Sequence, residues 1–281
     1  MDAVFLGSEA MAGGAITRYQ LRTFHTRVLP DVYVPKRTEL TLRRRAAAAW
    51  LWSHRQGIVS GVAASALLGA KWIDDHAVIE LNWPNHRSPP GVHTRNDTLL
   101  DDETTVVDDL PVTTPERTAF DLARRATVTE AVSRLDALAR ATHFKAEDVA
   151  RLAQRHPHVR GLRRVERVLD LVDPGAESPR ESWLRMLLIS AGYRRPATQI
   201  PVPGPDGYPR YYLDMGWEDI MVAVEYDGEH HRMDQTSYRK DIVRLEYLAA
   251  ARWVVVRVVK GEQRNRILAR VARAVRSRGG L

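Results

Sequence analysis

Two successive apolar runs of strand character in the segment Tyr211 to Arg232, YYLDMGWEDIMVAVEYDGEHHR, carry acidic residues in their interiors. Carboxylates inside strands limit the folds open to the chain, because a buried charge is costly unless it is paired or bound to a metal. A hairpin turning at Trp217 to Asp219 brings Asp214 on the first strand toward Glu225 and Asp227 on the second. Period-two alternation then sets Ala223, Glu225 and Asp227 on one face, and Val222, Val224 and Tyr226 on the other. The run MVAVE is apolar enough to be covered on both faces. Three carboxylates this close repel one another unless a proton or cation lies among them, which points to a divalent-metal site built on a sheet. Asp227-Gly228 is equally readable as a turn initiator.

The surrounding sequence reads as a compact α/β layer. Helices are expected from Pro179 to Ala191, from Thr236 to Ala251 and from the end of the last strand to about Arg278. Strands are expected over Ala197 to Val202, Arg210 to Met215, Ile220 to Asp227 and Trp253 to Val259. Asp173-Pro174-Gly175 breaks the helical periodicity that precedes this layer and marks a domain boundary. A length of 281 residues exceeds what one core usually organises. The expected division is a winged-helix region at 1–39, a mixed α/β and helical region at 40–173, and an α/β domain at 174–281, giving an α+β chain overall.

In the first of these regions Thr17 is an N-cap for a short helix, and Val32-Tyr33-Val34 is a strand closed by Pro35. Helix, turn, helix and strand in so few residues imply a winged helix that offers Arg18, Gln20, Arg22 and His25 to DNA. The next helix, Thr41 to His54, opens with Arg43, Arg44 and Arg45, which are either a solvated first turn or phosphate contacts. Ser60 is positioned to cap a helix ending at Gly69, short strands follow between Val78 and Val112, and Thr114-Pro115 opens a helical stretch that runs to Val172.

A net charge of +7 and a pI near 9.8 favour a polyanionic partner such as DNA, although the excess of Arg over Lys also reflects genome composition. The absence of cysteine excludes disulfides, thiol catalysis and Cys-based metal sites. With no secretory leader pattern and no apolar run of membrane-spanning length, the expectation is a cytoplasmic protein that does not engage a membrane.

Ser178 with Glu181, and Pro179 between them, form a capping box that accounts for Glu181 structurally. Glu181 also shares a helix face with Leu184 and Leu188, the face that packs on the sheet, so its carboxylate can point toward Asp214. His230 and His231 point in different directions on any regular element, so at most one reaches the acidic cluster. Asp241 and Arg244 stand three apart on the next helix, either as an intrahelical ion pair or with Arg239, Lys240 and Arg244 lining a phosphate path.

Ser178 to Ser182 (SPRES), Gln199, Asp214, the VEYDGEHH run, Asp241, Arg244, Leu248 and Trp253-Val254-Val255 together resemble a domain family related to very-short-patch-repair (Vsr-like) endonucleases of the PD-(D/E)XK superfamily. The N-terminal part, through AITRYQLR, VYVP, IVSGVAASALLGA and LPVTTPERTAFDLA, is similar to AbiEi-type antitoxin domains of type IV toxin-antitoxin systems. The first resemblance implies a restriction-endonuclease-like fold with a mixed central sheet flanked by helices, in which Glu181, Asp214 and Glu225, with the Tyr226 carbonyl, hold Mg2+ or Mn2+ for phosphodiester hydrolysis. The superfamily places a lysine two residues beyond Glu225, and this chain has Asp227 there. His230, His231 or Arg244 would then supply the positive charge, and Asp227 a second cation site. The second resemblance implies DNA binding, autoregulation and a cognate toxin. Two expectations follow: a DNA-binding metal-dependent endonuclease, or a non-catalytic transcriptional regulator or antitoxin with a degenerate nuclease domain.

Overall fold

The computed structural model describes residues 4–85, 87–228 and 235–280. The chain divides into two compact units, the first ending at Val172 and the second beginning at Asp173. Both mix helices with sheets, so the α+β class expected from the sequence is borne out.

The first unit opens with β1 (Phe5–Leu6), α1 (Gly7–Ala12), α2 (Arg18–Phe24), β2 (His25–Leu29) and β3 (Val32–Pro35). These strands form an antiparallel sheet in the order β1-β3-β2. Thr17 caps α2 as expected, accepting the Gln20 amide at 3.2 Å while the Gln20 side chain accepts the Thr17 amide at 2.8 Å. Helix α3 (Leu42–Trp52) lays Ala48 and Leu51 against Leu6 and Val32, so the small sheet shares its apolar cluster with the helix that follows it.

A five-stranded mixed sheet comes next, from β4 (Ile58–Ser60), α4 (Gly61–Leu67), β5 (Ile79–Asn82), β6 (Val92–Arg95), β7 (Thr104–Val107) and β8 (Leu110–Thr113), in the order β6-β5-β4-β8-β7. Ala46, Ala47 and Ala49 of α3 and Ala63 and Ala64 of α4 pack on Val59, Ile79, Leu81 and Val112. Such small side chains let helix backbones approach a sheet closely. Ser60 departs from expectation: it precedes α4 but its hydroxyl makes no cap bond, and its backbone is paired with Glu80 in the sheet. Four helices complete the unit, α5 (Pro115–Arg125), α6 (Val128–Thr142), α7 (Ala146–Gln154) and α8 (Leu162–Leu171).

The second unit is built from α9 (Pro179–Ser190), β9 (Ala197–Pro203), β10 (Pro209–Trp217), β11 (Val222–Asp227), α10 (Gln235–Ala250), β12 (Val254–Val259) and α11 (Arg264–Ser277). Its sheet has the order β12-β11-β10-β9, an antiparallel meander with β12 added parallel to β11 after the α10 crossover. The β10–β11 turn is a short 3-10 segment, Glu218–Ile220, followed by Met221 in the left-handed region. On one face Leu184 and Leu188 of α9 and Ile267 and Val271 of α11 pack on Met215, Trp217, Val222 and Val224. On the other, Leu248 of α10 packs with Ile200, Leu213 and Ala223. The two-sided burial expected for MVAVE follows from this arrangement, and Val222 to Glu225 are all buried.

Candidate functional site

Leu213 and Met215 stand two apart on β10 and should share a face, yet Leu213 packs on the α10 side and Met215 on the side of α9 and α11. The strand turns over at Asp214. The β10–β11 pairing runs from Trp217↔Val222 to Met215↔Val224, and at the next step the Asp214 carboxylate takes over the role of a backbone carbonyl, accepting the Tyr226 amide at 2.8 Å. This is how the hairpin brings Asp214 to the Glu225 end of β11.

Glu225 is 5% exposed. Its carboxylate is met by Arg244 of α10, whose Nη1 donates to Oε2 at 2.9 Å and whose Nη2 donates to Oε1 at 2.5 Å. Nη2 also donates to the Tyr212 carbonyl at 3.0 Å. A fork-to-fork contact of this kind satisfies a buried carboxylate fully. The hydrogen bond that Arg244 donates to Glu225 holds it above the usual arginine range, burial notwithstanding.

Parallel register places Arg257 of β12 beside Glu225. Arg257 donates to Asp227 at 2.9 Å and to Asp241 of α10 at 2.5 Å, so one guanidinium links the end of β11 to the helix above it. Neither Asp241 nor Arg244 is used in the intrahelical pair that their spacing allows; each reaches across to the sheet instead.

Glu181 sits at the start of α9, where its Oε1 accepts the Ser178 hydroxyl at 2.8 Å and its Oε2 accepts the Glu177 amide at 2.8 Å, while the Ser178 hydroxyl accepts the Glu181 amide. The capping role expected for it is real, with the Glu177 amide in place of the Ser178 amide. It is also near enough to act on Asp214. Burial, followed by the negative charges of Glu181 and Glu225, pushes the Asp214 carboxyl up to about 7, against the pull of the Tyr226 amide and Arg244.

The expected metal set of Glu181, Asp214, Glu225 and Tyr226 is therefore partly assembled. Among the described residues, no group of three or more His, Cys, Asp or Glu is arranged to hold a metal ion. Both Glu225 oxygens belong to Arg244, both Glu181 oxygens to the cap, and the Tyr226 amide rather than its carbonyl faces Asp214. In this arrangement Arg244 meets the oxygens of Glu225, and Ser178 and the Glu177 amide meet those of Glu181. Asp227, expected to bind a second cation, is held by Arg257. His230 and His231 lie outside the described residues. Arg239 and Lys240 have exposed side chains on α10, whereas Arg244 is committed to Glu225 rather than to a phosphate path.

In the first unit, Arg18 and Arg22 are exposed on α2, with Tyr19 (72%) and Phe24 (57%) beside them. The Gln20 side chain is engaged in the cap and the His25 ring contacts the Gln20 carbonyl and Phe5. Of the arginine triplet, Arg43 is exposed and pairs with Asp108, Arg44 donates to the Glu39 carbonyl, and Arg45 donates to the carbonyls of Asp75 and Ala77. Arg44 and Arg45 thus tie down the segments around α3.

Two charged groupings escaped sequence reasoning. Arg257 is the first: an arginine inside the apolar run VVVRVV demands a counter-charge by the same argument that singled out Glu225. The second is a buried network in the first unit. There Arg117 contacts Glu103 and donates to Asp121 at 3.1 Å and to the Thr98 carbonyl at 2.7 Å, and His156 meets Glu103 at 2.6 Å. Arg124 and Arg125 join Asp121 to Asp97. The visible signal was Arg117 and Asp121, four apart in a helix otherwise buried on that side.

Comparison with known proteins places part of this architecture. Residues 32–171 match the family model of the AbiEi antitoxin C-terminal domain. The match begins in the β2–β3 hairpin, ends in α8 and contains the whole Arg117 network. Two uncharacterized proteins from two strains of Mycobacterium tuberculosis are each 26% identical over 250 residues, covering 88% of this chain and 91% of theirs. An alignment of that extent reaches well into the second unit, so these relatives carry counterparts of both. No solved structure matches the chain. No helix among the described residues is long and apolar enough to cross a membrane.

Proposed function

We propose that the protein is a DNA-binding transcriptional regulator of the antitoxin class, whose second unit has a restriction-endonuclease-like layout that serves interaction rather than catalysis. The observation that carries the reading is the match of residues 32–171 to an antitoxin domain. In support, α1, the turn and α2, followed by the β2–β3 hairpin, have the order of a winged helix, with Arg18 and Arg22 exposed on the second helix. A basic chain with exposed arginines on a helix binds duplex DNA first through its phosphates. In the second unit, Glu225 and Asp227 of the acidic cluster are paired internally with Arg244 and Arg257. A cognate toxin is the partner that the antitoxin match brings with it.

Fluorescence anisotropy on fragments from upstream of the protein's own coding sequence tests this. Specific binding should survive moderate salt, fall in the Arg22→Ala variant and be unchanged in Asp214→Ala. If no fragment binds above a random duplex as salt is raised, the regulator reading fails.

Metal-dependent phosphodiester cleavage is the second reading, favoured by the convergence of Glu181 and Glu225 on Asp214. It requires Arg244 to release Glu225. Cleavage that depends on Mg2+ or Mn2+ and disappears in Asp214→Ala would establish it in place of the first.

A further inference from the structure

At the β9–β10 end of the second unit, arginines and tyrosines are layered. Arg210 falls at the register shift between Pro209 and Tyr211, where it is free of the regular pairing. Its guanidinium lies over the Tyr247 ring at 4.7 Å and near the Tyr211 ring at 5.7 Å. The two rings meet edge-on at 5.5 Å, and the Arg244 guanidinium also lies 5.8 Å from the Tyr211 ring. The Tyr247 hydroxyl donates to the Pro203 carbonyl at 2.7 Å, which fixes the stack to β9. Tyr208, at the β9–β10 turn two residues before Arg210, is 74% exposed.

We propose that this end of the sheet binds single-stranded nucleic acid, with Arg210 contacting a phosphate and Tyr208 stacking on a base. Arg210 is exposed and, among the described residues, pairs with no carboxylate, while two rings hold it in place. Its donors are therefore available to an anion without a large loss of side-chain freedom. A large exposed ring next to a cation matches a strand whose bases are unstacked; in a duplex the base faces are already covered. The net charge of +7 favours the same polyanion. The site is separate from α2, so it stands or falls independently of duplex recognition by the first unit.

The test uses the full chain and three labelled probes: oligo(dT) and oligo(U) of about twelve nucleotides, within the usual footprint of a stacking site, and a mixed-sequence duplex. Arg210→Ala and Tyr208→Ala should each weaken binding of the single strands by about tenfold and leave the duplex unaffected. Arg22→Ala should do the reverse. Tyr208 lies at the turn and is largely exposed, so Tyr208→Ala should leave the melting temperature unaltered. Parent-like single-strand affinity in both Arg210→Ala and Tyr208→Ala overturns the proposal. So does equal loss of single-strand and duplex binding in those variants.

Discussion

Arg244 closes on both oxygens of Glu225, at 2.9 and 2.5 Å, and occupies the place where a cation would otherwise be needed. Glu225 is buried and Arg244 only partly so. Removing one member of a fully buried pair costs about 3–5 kcal/mol, and partial exposure of Arg244 brings the expected loss for Arg244→Ala to about 2 kcal/mol in urea unfolding. The variant also leaves Glu225 facing Asp214 without its bonded cation, Arg257 on β12 being engaged by Asp227 and Asp241. Millimolar Mn2+ should therefore raise the melting temperature of Arg244→Ala and leave the parent unmoved. An equal rise in both would mean that Arg244 does not guard the carboxylates.

Asp214 gives a pH signature of definite sign. Its carboxyl is pushed up to about 7, above its ordinary value of 3.8, chiefly by burial and the charge of Glu181. Between those two pH values the folded protein holds a proton that the unfolded chain has lost, so this group makes stability fall as pH rises toward 7. Asp214→Asn keeps an acceptor for the Tyr226 amide and removes the penalty. Relative to the parent it should be about 1–3 kcal/mol more stable at pH 8 and little changed at pH 4, measured by denaturant unfolding at each pH. A constant difference across that range would assign the effect to packing.

Period-two and helical patterning exposed the second unit's elements almost to the residue, because each strand and helix there buries one continuous apolar set. The hairpin, its turn near Glu218 and the two-sided burial of Val222 to Glu225 all followed from that patterning. Partner identity did not. Which cation meets Glu225 depends on the relative placement of β11, α10 and β12, and Arg244 and Arg257 are respectively 19 and 32 residues away in sequence, distances over which local rules say nothing. The exposed ends of helices were similarly ambiguous: Gln20 has the chemistry of a base-reading residue, but its position three after Thr17 made the cap its nearer partner.

The buried Arg117 network should govern the first unit's stability. Arg117, Glu103 and Asp121 are each 2% exposed or less. Arg117→Ala would leave Glu103 in the interior with only His156 beside it, while Asp121 keeps Arg124 and Arg125, a loss of about 3–5 kcal/mol. Arg117→Met with Glu103→Gln, which removes charge from both sides, should recover part of it. Urea unfolding monitored separately from the second unit, through proteolytic protection of α5, reads the difference. A double variant no better than Arg117→Ala would show that packing of the guanidinium on Phe120, and not charge balance, is what the site needs.

Gln20 and Arg22 lie two apart on α2 and should fail in different ways. Arg22 is exposed on the helix, so Arg22→Ala should weaken duplex binding at every sequence and lower the slope of log affinity against log salt by about one. The Gln20 side chain accepts the Thr17 amide, so Gln20→Ala removes half of a reciprocal cap and should cost roughly 0.5–1 kcal/mol of stability. Its salt slope should match the parent's, since no phosphate contact is lost. Gln20→Glu can replace the lost acceptor, and it also sets a negative charge at the helix start, where the backbone dipole favours one. It should therefore restore stability while weakening DNA binding modestly by repulsion. If Gln20→Ala instead relaxes discrimination among operator sequences at unchanged melting temperature, the side chain leaves its cap on binding and reads a base.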